Sequence, residues 1–357
     1  MGMRTHLLLY GATGYVGEAT ARFAVASGMR PILAGRNAGA LQRLAGELGV
    51  EYRAFALDDP VAIDTALREV AVVLHCAGPF LHTYRPMVDA CLRTGAHYLD
   101  LTGELPVYEA IAARDADAKS RGVMLMPGVG FDVVPTDCLA VHLKQRLPTA
   151  THLALAFRSK GPGGLPPGTQ RTVIEMLAYG NRVRRDGRLE RPTEPMKNRV
   201  VDFGQGPVTV TQMMWGDVFT AYYSTGIPNI EDYTVLPRAV QKQMRVLSVL
   251  RPLFRIGALR NLLKRGVKPG PTAAARAQTV THVWGEVTDA QGGKAVSRLH
   301  GPEAGVEWTM RAALAVVKRV LGGQAPAGYQ TPAMAYGADF VLECEGVTRE
   351  DVVGEHA

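Results

Sequence analysis

The chain has 357 residues, 47% apolar and 20% charged, a length and balance that suit two packed domains and argue against disorder or a repeat array. Its four cysteines, Cys76, Cys91, Cys138 and Cys344, are too few and too scattered for a disulfide framework and lack metal-ligand spacing, so free thiols in a reducing compartment are expected. The net charge is +7, yet ten cations and no acidic residue fall between Asp232 and Glu286, and without those ten the remainder carries −3.

The N-terminal MGMRTHLLLYG has too short an apolar run for a signal-peptide core, and no later stretch approaches 18 uninterrupted apolar residues. A soluble, cytoplasmic protein is expected. The first 130 residues alternate short aliphatic runs with helical patterns. Strands are expected at His6–Tyr10, Pro31–Ala34, Tyr52–Ala56, Val72–Cys76, His97–Asp100 and Val123–Met126. Helices are expected near Tyr15–Ser27, Ala38–Leu48, Val61–Val70, Tyr84–Thr94 and Leu105–Ser120. Six strands joined in this way predict an α/β fold, a Rossmann-type doubly wound parallel sheet built from two βαβαβ halves over residues 1–147.

Past Leu147 the pattern changes. A loop rich in glycine and proline (161–168) precedes a helical stretch, Thr169–Tyr179. Val208–Met213 and Thr279–Val287 alternate as strands, and Gly301–Leu321 reads as a strand followed by a helix with Met310, Leu314, Val317 and Leu321 on one face. Residues 148–330 are therefore expected to form an α+β domain for substrate or oligomerisation. The last segment, 331–357, is expected to return to the first domain.

The strongest local signal is Gly11-Ala-Thr13-Gly14-Tyr15-Val16-Gly17 between the first strand and the first helix. Glycines there permit a tight turn, admit a pyrophosphate close to the main chain and let helix and strand pack, while the helix N-terminus offers N–H groups to phosphate. The spacing is GxxGxxG, a variant of GxGxxG, and a glycine turn with no ligand is the competing reading. The corner after the second strand reads Ala34-Gly35-Arg36-Asn37, with no acidic residue to accept a ribose 2′-hydroxyl. Arg36 suits a 2′-phosphate, so NADP(H) is favoured over NAD(H); the alternative is a solvated Arg36. Asp58, after the third strand, either sits beside the adenine or caps the next helix.

The fourth strand ends in Cys76-Ala77-Gly78-Pro79-Phe80, which the usual strand order places along the nicotinamide. Phe80 either walls the pocket or lies in the core. The stretches 97–104 and 127–137 end the fifth and sixth strands on the same sheet edge. Their polar groups face the crevice or, by the capping rule for Asp100, Thr102 and Asp137, tie down the following helices. No Tyr-x-x-x-Lys pair, HExxH or clustered His/Cys set occurs, so metal catalysis is not expected.

GATGYVG (11–17), AGR (34–36), CAGPF (76–80), ACLRTGAHYLDLTGE (90–104), PGVGFDVVPTD (127–137) and GTQRTVIEML (168–177) together resemble the saccharopine dehydrogenase-like oxidoreductases, including the trans-acting enoyl reductase branch. TPAMAYGADFVLECEG (331–346) is similar to that family's ending. The resemblance implies NADPH-dependent reduction, with an inserted α+β domain shaping the substrate pocket. Saccharopine-type members act on amino-acid-derived imines, and enoyl-reductase-like members on polyketide and fatty-acyl chains. A shorter second domain with an apolar, basic tract favours reduction of a C=C bond in an enoyl or natural-product intermediate. An imine or amino-acid-derived substrate is the alternative, and a non-catalytic, nucleotide-binding protein associated with lipid or a partner is a third reading.

Hydride delivery is the cofactor's own chemistry, so the protein must position the substrate and supply a proton. Tyr98, Asp132 and Thr136 are the catalytic candidates, with His97 beside them. Tyr84, Gly130, Phe131 and Arg171 are the substrate-binding candidates, and Gly11, Thr13, Gly14, Tyr15, Val16, Gly17, Arg36, Asp58 and Ala77 to Phe80 the cofactor-binding ones. The tract 238–268 carries Val240, Met244, Leu247, Leu250 and Phe254 at helical spacing among its cations. Pro252 and Gly257 split it into two short helices, which argues against membrane contact. Scarce aromatic residues argue against nucleic acid. An acidic carrier protein bearing an acyl substrate, or a second copy of the chain, is the partner this tract suits; a free small-molecule substrate needs neither.

Overall fold

The structure, a computed structural model, describes residues 5–192 and 196–352. The first unit follows the expected alternation: β1 (His6–Tyr10), α1 (Tyr15–Ala26), β2 (Ile32–Gly35), α2 (Ala38–Leu48), β3 (Tyr52–Ala54), α3 (Pro60–Ala66), β4 (Val70–His75), α4 (Tyr84–Thr94), β5 (His97–Asp100), α5 (Leu105–Ala112), α6 (Asp115–Ser120) and β6 (Met124–Met126). The strands lie parallel in the order β3-β2-β1-β4-β5-β6, so the order reverses between β1 and β4 and opens a crevice at their C-terminal ends. Leu7, Leu8 and Leu9 of β1 and Val72, Val73 and Leu74 of β4 are buried, because helices cover both sheet faces. Each such side chain contributes about 1.5–3 kcal/mol of transfer free energy.

Chain segments that close the helices are local. Asn37 and Asp59 cap α2 and α3 by accepting from Ala40 and Ala62 N–H groups. Gly49 and Gly95 end α2 and α4 in the left-handed conformation.

The crossing helix α7 (Val134–Arg146) leads to β7 (His152–Lys160), α8 (Pro167–Met176), β8 (Val183–Arg185), β9 (Arg188–Glu190), β10 (Asn198–Asp202), β11 (Pro207–Gln212), α9 (Asp217–Thr225) and β12 (Asn229–Thr234). Then come α10 (Arg238–Val249), α11 (Gly257–Lys264), α12 (Ala273–Ala277), β13 (Val280–Thr288), β14 (Lys294–Pro302) and α13 (Thr309–Leu321). The chain ends with β15 (Gly328–Tyr329), α14 (Pro332–Tyr336) and β16 (Thr348–Val352). The second, mixed sheet has the order β10-β11-β12-β7-β13-β14-β16. Leu139 and Leu143 of α7 pack on Gly285 of β13, where any Cβ would stand 2.6 Å from Leu143.

Three elements lie elsewhere than the sequence suggests. Helix α13 packs on α1 and β4, so the chain is back on the first sheet well before residue 331. A seventh strand, β15, then joins β6 in parallel; two residues are too few for a visible periodicity. The final strand β16 pairs with β14 of the second sheet rather than with the first, while α14 packs on α7. Residues 353–357 of the expected C-terminal segment lie outside the described residues. On the predicted face of α13, Met310, Leu314 and Val317 are buried, whereas Leu321 at its last turn is 38% exposed. Among the described residues no helix is long and apolar enough to cross a membrane.

Candidate functional site

Strand β1 runs into the glycine turn, and Gly11 adopts φ +85 with its Cα pressed on the end of β4: a Cβ would stand 2.9 Å from Ala77 N. At Gly17 a Cβ would stand 2.2 Å from Gly11 O, so only glycine lets α1 close on the turn. Gly14 is the exposed N-cap of α1, and no side chain satisfies the helix N-terminus there. That leaves the positive end of α1 aimed into the crevice, the arrangement a pyrophosphate requires. Thr13 is exposed beside it. Arg36 and Asp58 both stand exposed at the far corner, and Arg36 forms no ion pair with any described residue. These residues fit a dinucleotide carrying a 2′-phosphate. Tyr15 is turned differently: its hydroxyl donates to Pro271 O and accepts from Arg276 at 3.0 Å, so it clasps the second unit across the turn.

At the end of β4, Cys76, Gly78 and Phe80 form one wall of a large cavity. Glu104 fixes this turn. Its buried carboxylate accepts from Phe80 N at 2.9 Å, Leu81 N at 2.7 Å and the Thr172 hydroxyl at 2.9 Å, tying α8 to the turn. Burial pushes the Glu104 carboxyl up from its ordinary value, against the pull of those hydrogen bonds. Buried His75 holds Thr83 at 3.0 Å and is pushed down to about 3 by burial, so it stays neutral.

One aspartate ends β5 and another lies in the loop after β6. Asp100 is buried and accepts from Tyr98 OH at 2.8 Å and from Thr102 N and Gly128 N at 2.9 Å each. It staples both crevice loops together. Asp132 has no such partners among the described residues: its carboxyl lies over Gly103, where a Cβ would stand 2.9 Å from Oδ2, and it lines the cavity. Burial, with the Glu104 charge beside it, pushes Asp132 up to about 7. A carboxyl poised near neutrality in a cleft suits a proton donor.

The cavity encloses about 520 Å³ and spans both units, with mostly apolar lining. Val16 of the glycine turn contributes to it, as do Met176 and Leu177 at the end of α8 and Met244 and Leu247 of α10. An aromatic wall runs from Phe131 to Phe157 (5.6 Å between ring centres) and on to Trp215 (4.8 Å). Gln212, at the end of β11, lines the same space while 2% exposed, and both its amide atoms lack a hydrogen-bond partner.

The sequence candidates therefore separate by position. Asp132, Phe131, Val16, Gly78 and Phe80 line the cavity. Tyr98 is fully buried behind it against Asp100, and Thr136 donates inward to Val133 O, since both sit on the core side of their elements. His97 is also spent locally, accepting from Met124 N at 3.0 Å. Tyr84 packs against the core, Arg171 is exposed, and neither lines the cavity. Gly130 lies under the Thr309 methyl, which a Cβ would meet at 2.9 Å. Asp137 accepts from Ser224 Oγ at 2.5 Å and Ala333 N at 2.8 Å, a structural tie between α9 and α14. Sequence reasoning missed Gln212; the signal was a polar residue ending the apolar face of Val208 and Val210 in a strand with period two. The role of Glu104 was visible only as one polar residue in a polar loop.

Comparison with known proteins finds relatives over part of the chain and a solved structure with the same fold. A trans-acting enoyl reductase from Mycobacterium leprae is 34% identical over 149 residues, 40% of this chain and 36% of that protein. A saccharopine dehydrogenase-like oxidoreductase from Homo sapiens is 29% identical over 196 residues, 47% of this chain and 45% of that protein. The matches thus span less than half the length of these curated relatives. Apo histidine-tagged saccharopine dehydrogenase (L-Glu forming) from Saccharomyces cerevisiae shares the fold, with a TM-score of 0.66 and 13% identity over 98% of this chain and 100% of that one. Residues 7–126 match the family model described as saccharopine dehydrogenase NADP binding domain, and the similarity holds over that first unit.

Proposed function

We propose that the chain is an NADPH-dependent reductase that acts on a C=C bond conjugated to a carbonyl in an apolar acyl or natural-product intermediate. One observation carries the reading: cofactor-turn residues Val16, Gly78 and Phe80 and the carboxyl of Asp132 open into one large, mainly apolar cavity. Such a space suits a hydrocarbon body better than an amino acid with several charges. The similarity to enoyl reductases over the first unit supports it.

Gly11, Thr13, Gly14, Val16, Gly17 and Arg36 would hold the dinucleotide phosphates, and Ala77 to Phe80 its nicotinamide end. When bound, NADPH supplies the hydride. The side chains supply the rest: the aromatic wall orients the substrate and excludes water, and the Asp132 carboxyl, protonated below about pH 7, gives a proton to the carbon next to the carbonyl. Solvent at the cavity mouth then reprotonates it. Asp100 and Glu104 are positioning residues, and Tyr98 orients Asp100. The cations of 238–268 are the face that would meet an acidic carrier bringing the chain.

The test is consumption of NADPH by the purified protein against enoyl thioesters, cyclic imines and amino-acid/keto-acid pairs. Turnover of enoyl thioesters with little on the other two sets is expected. Turnover confined to imines or amino acids would replace the assignment, and NADPH binding with no turnover anywhere would favour a non-catalytic role.

A further inference from the structure

Half-buried arginines in this molecule are generally matched by carboxylates: Arg260 with Glu175 at 2.8 Å, Arg199 with Glu286 at 2.8 Å, Arg276 with Glu307 at 3.2 Å. Buried Arg184 is held instead by the carbonyls of Val218 and Gly187 and by the Tyr222 ring, and one group at the cavity departs from both arrangements. Arg191 and Arg251 line the cavity, and neither forms a hydrogen bond or ion pair with any described residue. Arg251 is half-buried. Its stem lies against Gly180, which has φ +70, and a Cβ there would stand 3.1 Å from Arg251 Cδ. Behind them Arg182 donates to the carbonyls of Tyr179 and Asn181 at 2.9 Å each; it bonds no carboxylate among the described residues, the charge of Glu109 acting on it without a hydrogen bond. Burial, and then the charges of Arg191 and Arg251, hold the Arg182 guanidinium below its ordinary value. Three like charges are thus gathered at the mouth of an apolar space, Arg191 exposed and Arg182 and Arg251 half-buried, with no bonded carboxylate among the described residues, an arrangement that favours an anion there.

This wall is far from the proton donor. Thr172, bonded to Glu104, marks the cofactor end of this wall; α8 runs four residues further to Met176, about 6 Å at 1.5 Å per helical residue, and Gly180, against Arg251, follows in the turn beyond. Between the two ends the lining is Val173, Met176 and Leu177.

We infer that Arg191 and Arg251, backed by Arg182, form an anion-binding end of the cavity, so that its ligand is an elongated amphiphile with an apolar body and a terminal carboxylate or phosphate. The anion would neutralise the arginines while the apolar body spans the gap to the nicotinamide end. The inference deepens the reductase reading by naming the shape and charge of the substrate. Its binding chemistry, though, needs no turnover.

The test uses decanoate, decyl phosphate and decanol as probes, titrated into the full-length protein at low salt and followed by the fluorescence of Trp215 in the cavity wall. Both anions are expected to bind at least tenfold more tightly than decanol, with the preference shrinking as salt rises. The better of the two anions tells a carboxylate-ended substrate from a phosphate-ended one. The double variant R191Q/R251Q should bring both anions to the affinity of decanol and leave decanol itself unchanged; R251K should retain most of the preference. Equal affinity for all three probes, no binding of any, or an equal loss for decanol in the double variant would overturn the inference. Melting temperature and NADPH affinity of the variants verify folding. Loss of NADPH binding in the wild-type protein would sink the reductase reading while leaving the anion end standing.

Discussion

Glu175 is the residue whose removal should be felt furthest from its own position. It sits on α8, 2% exposed, where Arg260 Nε approaches at 2.8 Å, Lys264 Nζ makes a close contact, and His82 Nε2 stands at 3.1 Å. A single carboxylate thus joins α11 and the turn after Pro79 to the helix that walls the cavity. Cutting one member from a buried ion pair costs about 3–5 kcal/mol. Arg260 and Lys264 keep 19% and 20% exposure and can swing partly into water, which places Glu175→Gln at the low end of that range. The new amide still accepts one hydrogen bond, recovering about 1 kcal/mol, so a net loss of about 2 kcal/mol is expected, roughly a 30-fold rise in local opening. Hydrogen exchange is the assay: amides of 257–264 should lose that much protection in E175Q, while those of 97–126 stay as they were. Burial pushes the Glu175 carboxyl up, but the hydrogen bonds from Lys264 and His82 outweigh it and hold it below its ordinary 4.5. A lowered acid stabilises above its unfolded value and loses that contribution as pH falls through the folded one. The difference between wild type and E175Q should therefore be constant from pH 6 to 8, as about 4.3 is the unfolded reference, and close only in acid. Equal protection of 257–264 in both proteins at neutral pH would refute the argument that this carboxylate anchors the tract.

The remaining predictions concern the crevice. Gly14→Asp should weaken NADPH binding at least about 100-fold by putting a carboxylate where phosphates bind, yet leave the melting temperature equal or higher because Asp is a good N-cap; nucleotide titration and thermal melts read the two separately. Arg36→Ala should reduce the NADPH-over-NADH preference about tenfold and alter stability by less than about 0.5 kcal/mol, since the side chain is exposed and unpaired among the described residues. Asp132→Asn should slow reduction by about 10²–10⁴. The wild-type rate should fall as pH rises through about 7, where the raised carboxyl loses its proton, and the variant should lack that slope. Gln212→Leu should raise stability by about 1 kcal/mol, by removing a buried amide without partners, while raising KM; unchanged KM would exclude contact with substrate.

The first unit was legible because its signals are local. Leu7 to Leu9 and Val72 to Leu74 are continuous apolar runs of strand length, and glycines or capping side chains punctuate the helices between them. Strand β15 was not legible: it exists because Gly328 N and Gln330 N donate to Val123 O and Leu125 O, contacts across two hundred residues with no periodicity of their own. The destination of α13 was hidden for a related reason. Its apolar face announces burial but not the partner, and β4 with α1 claimed it. In the tract 238–268 the pattern was correct and its meaning double. Met244 and Leu247 turn to the cavity and Phe254 is buried, while Leu250 of the same stripe is 41% exposed, so a single stripe serves both as wall and as surface.

Asp100 and Asp132 show where reading the site from sequence reaches its end. Asp100 ends β5 and Asp132 follows β6 on the same sheet edge, and burial pushes both carboxyls up to about 7. The sequence names Asp132 as a catalytic candidate and leaves Asp100 between the crevice and a helix cap, without the physical reason that divides them. Hydrogen bonds separate them: Asp100 receives Tyr98 OH and two backbone N–H groups, so its oxygens are committed to holding Thr102 and Gly128 in place. Asp132 lies on the bare Cα of Gly103 with no donor of its own among the described residues and faces the cavity. A proton on Asp100 would be passed only within the loops it staples, whereas a proton on Asp132 is presented to whatever fills the cavity. The absence of a side chain at Gly103 is thus as much a part of the candidate acid as the carboxyl itself: a methyl group there would stand 2.9 Å from Oδ2 and turn Asp132 away from the space it serves.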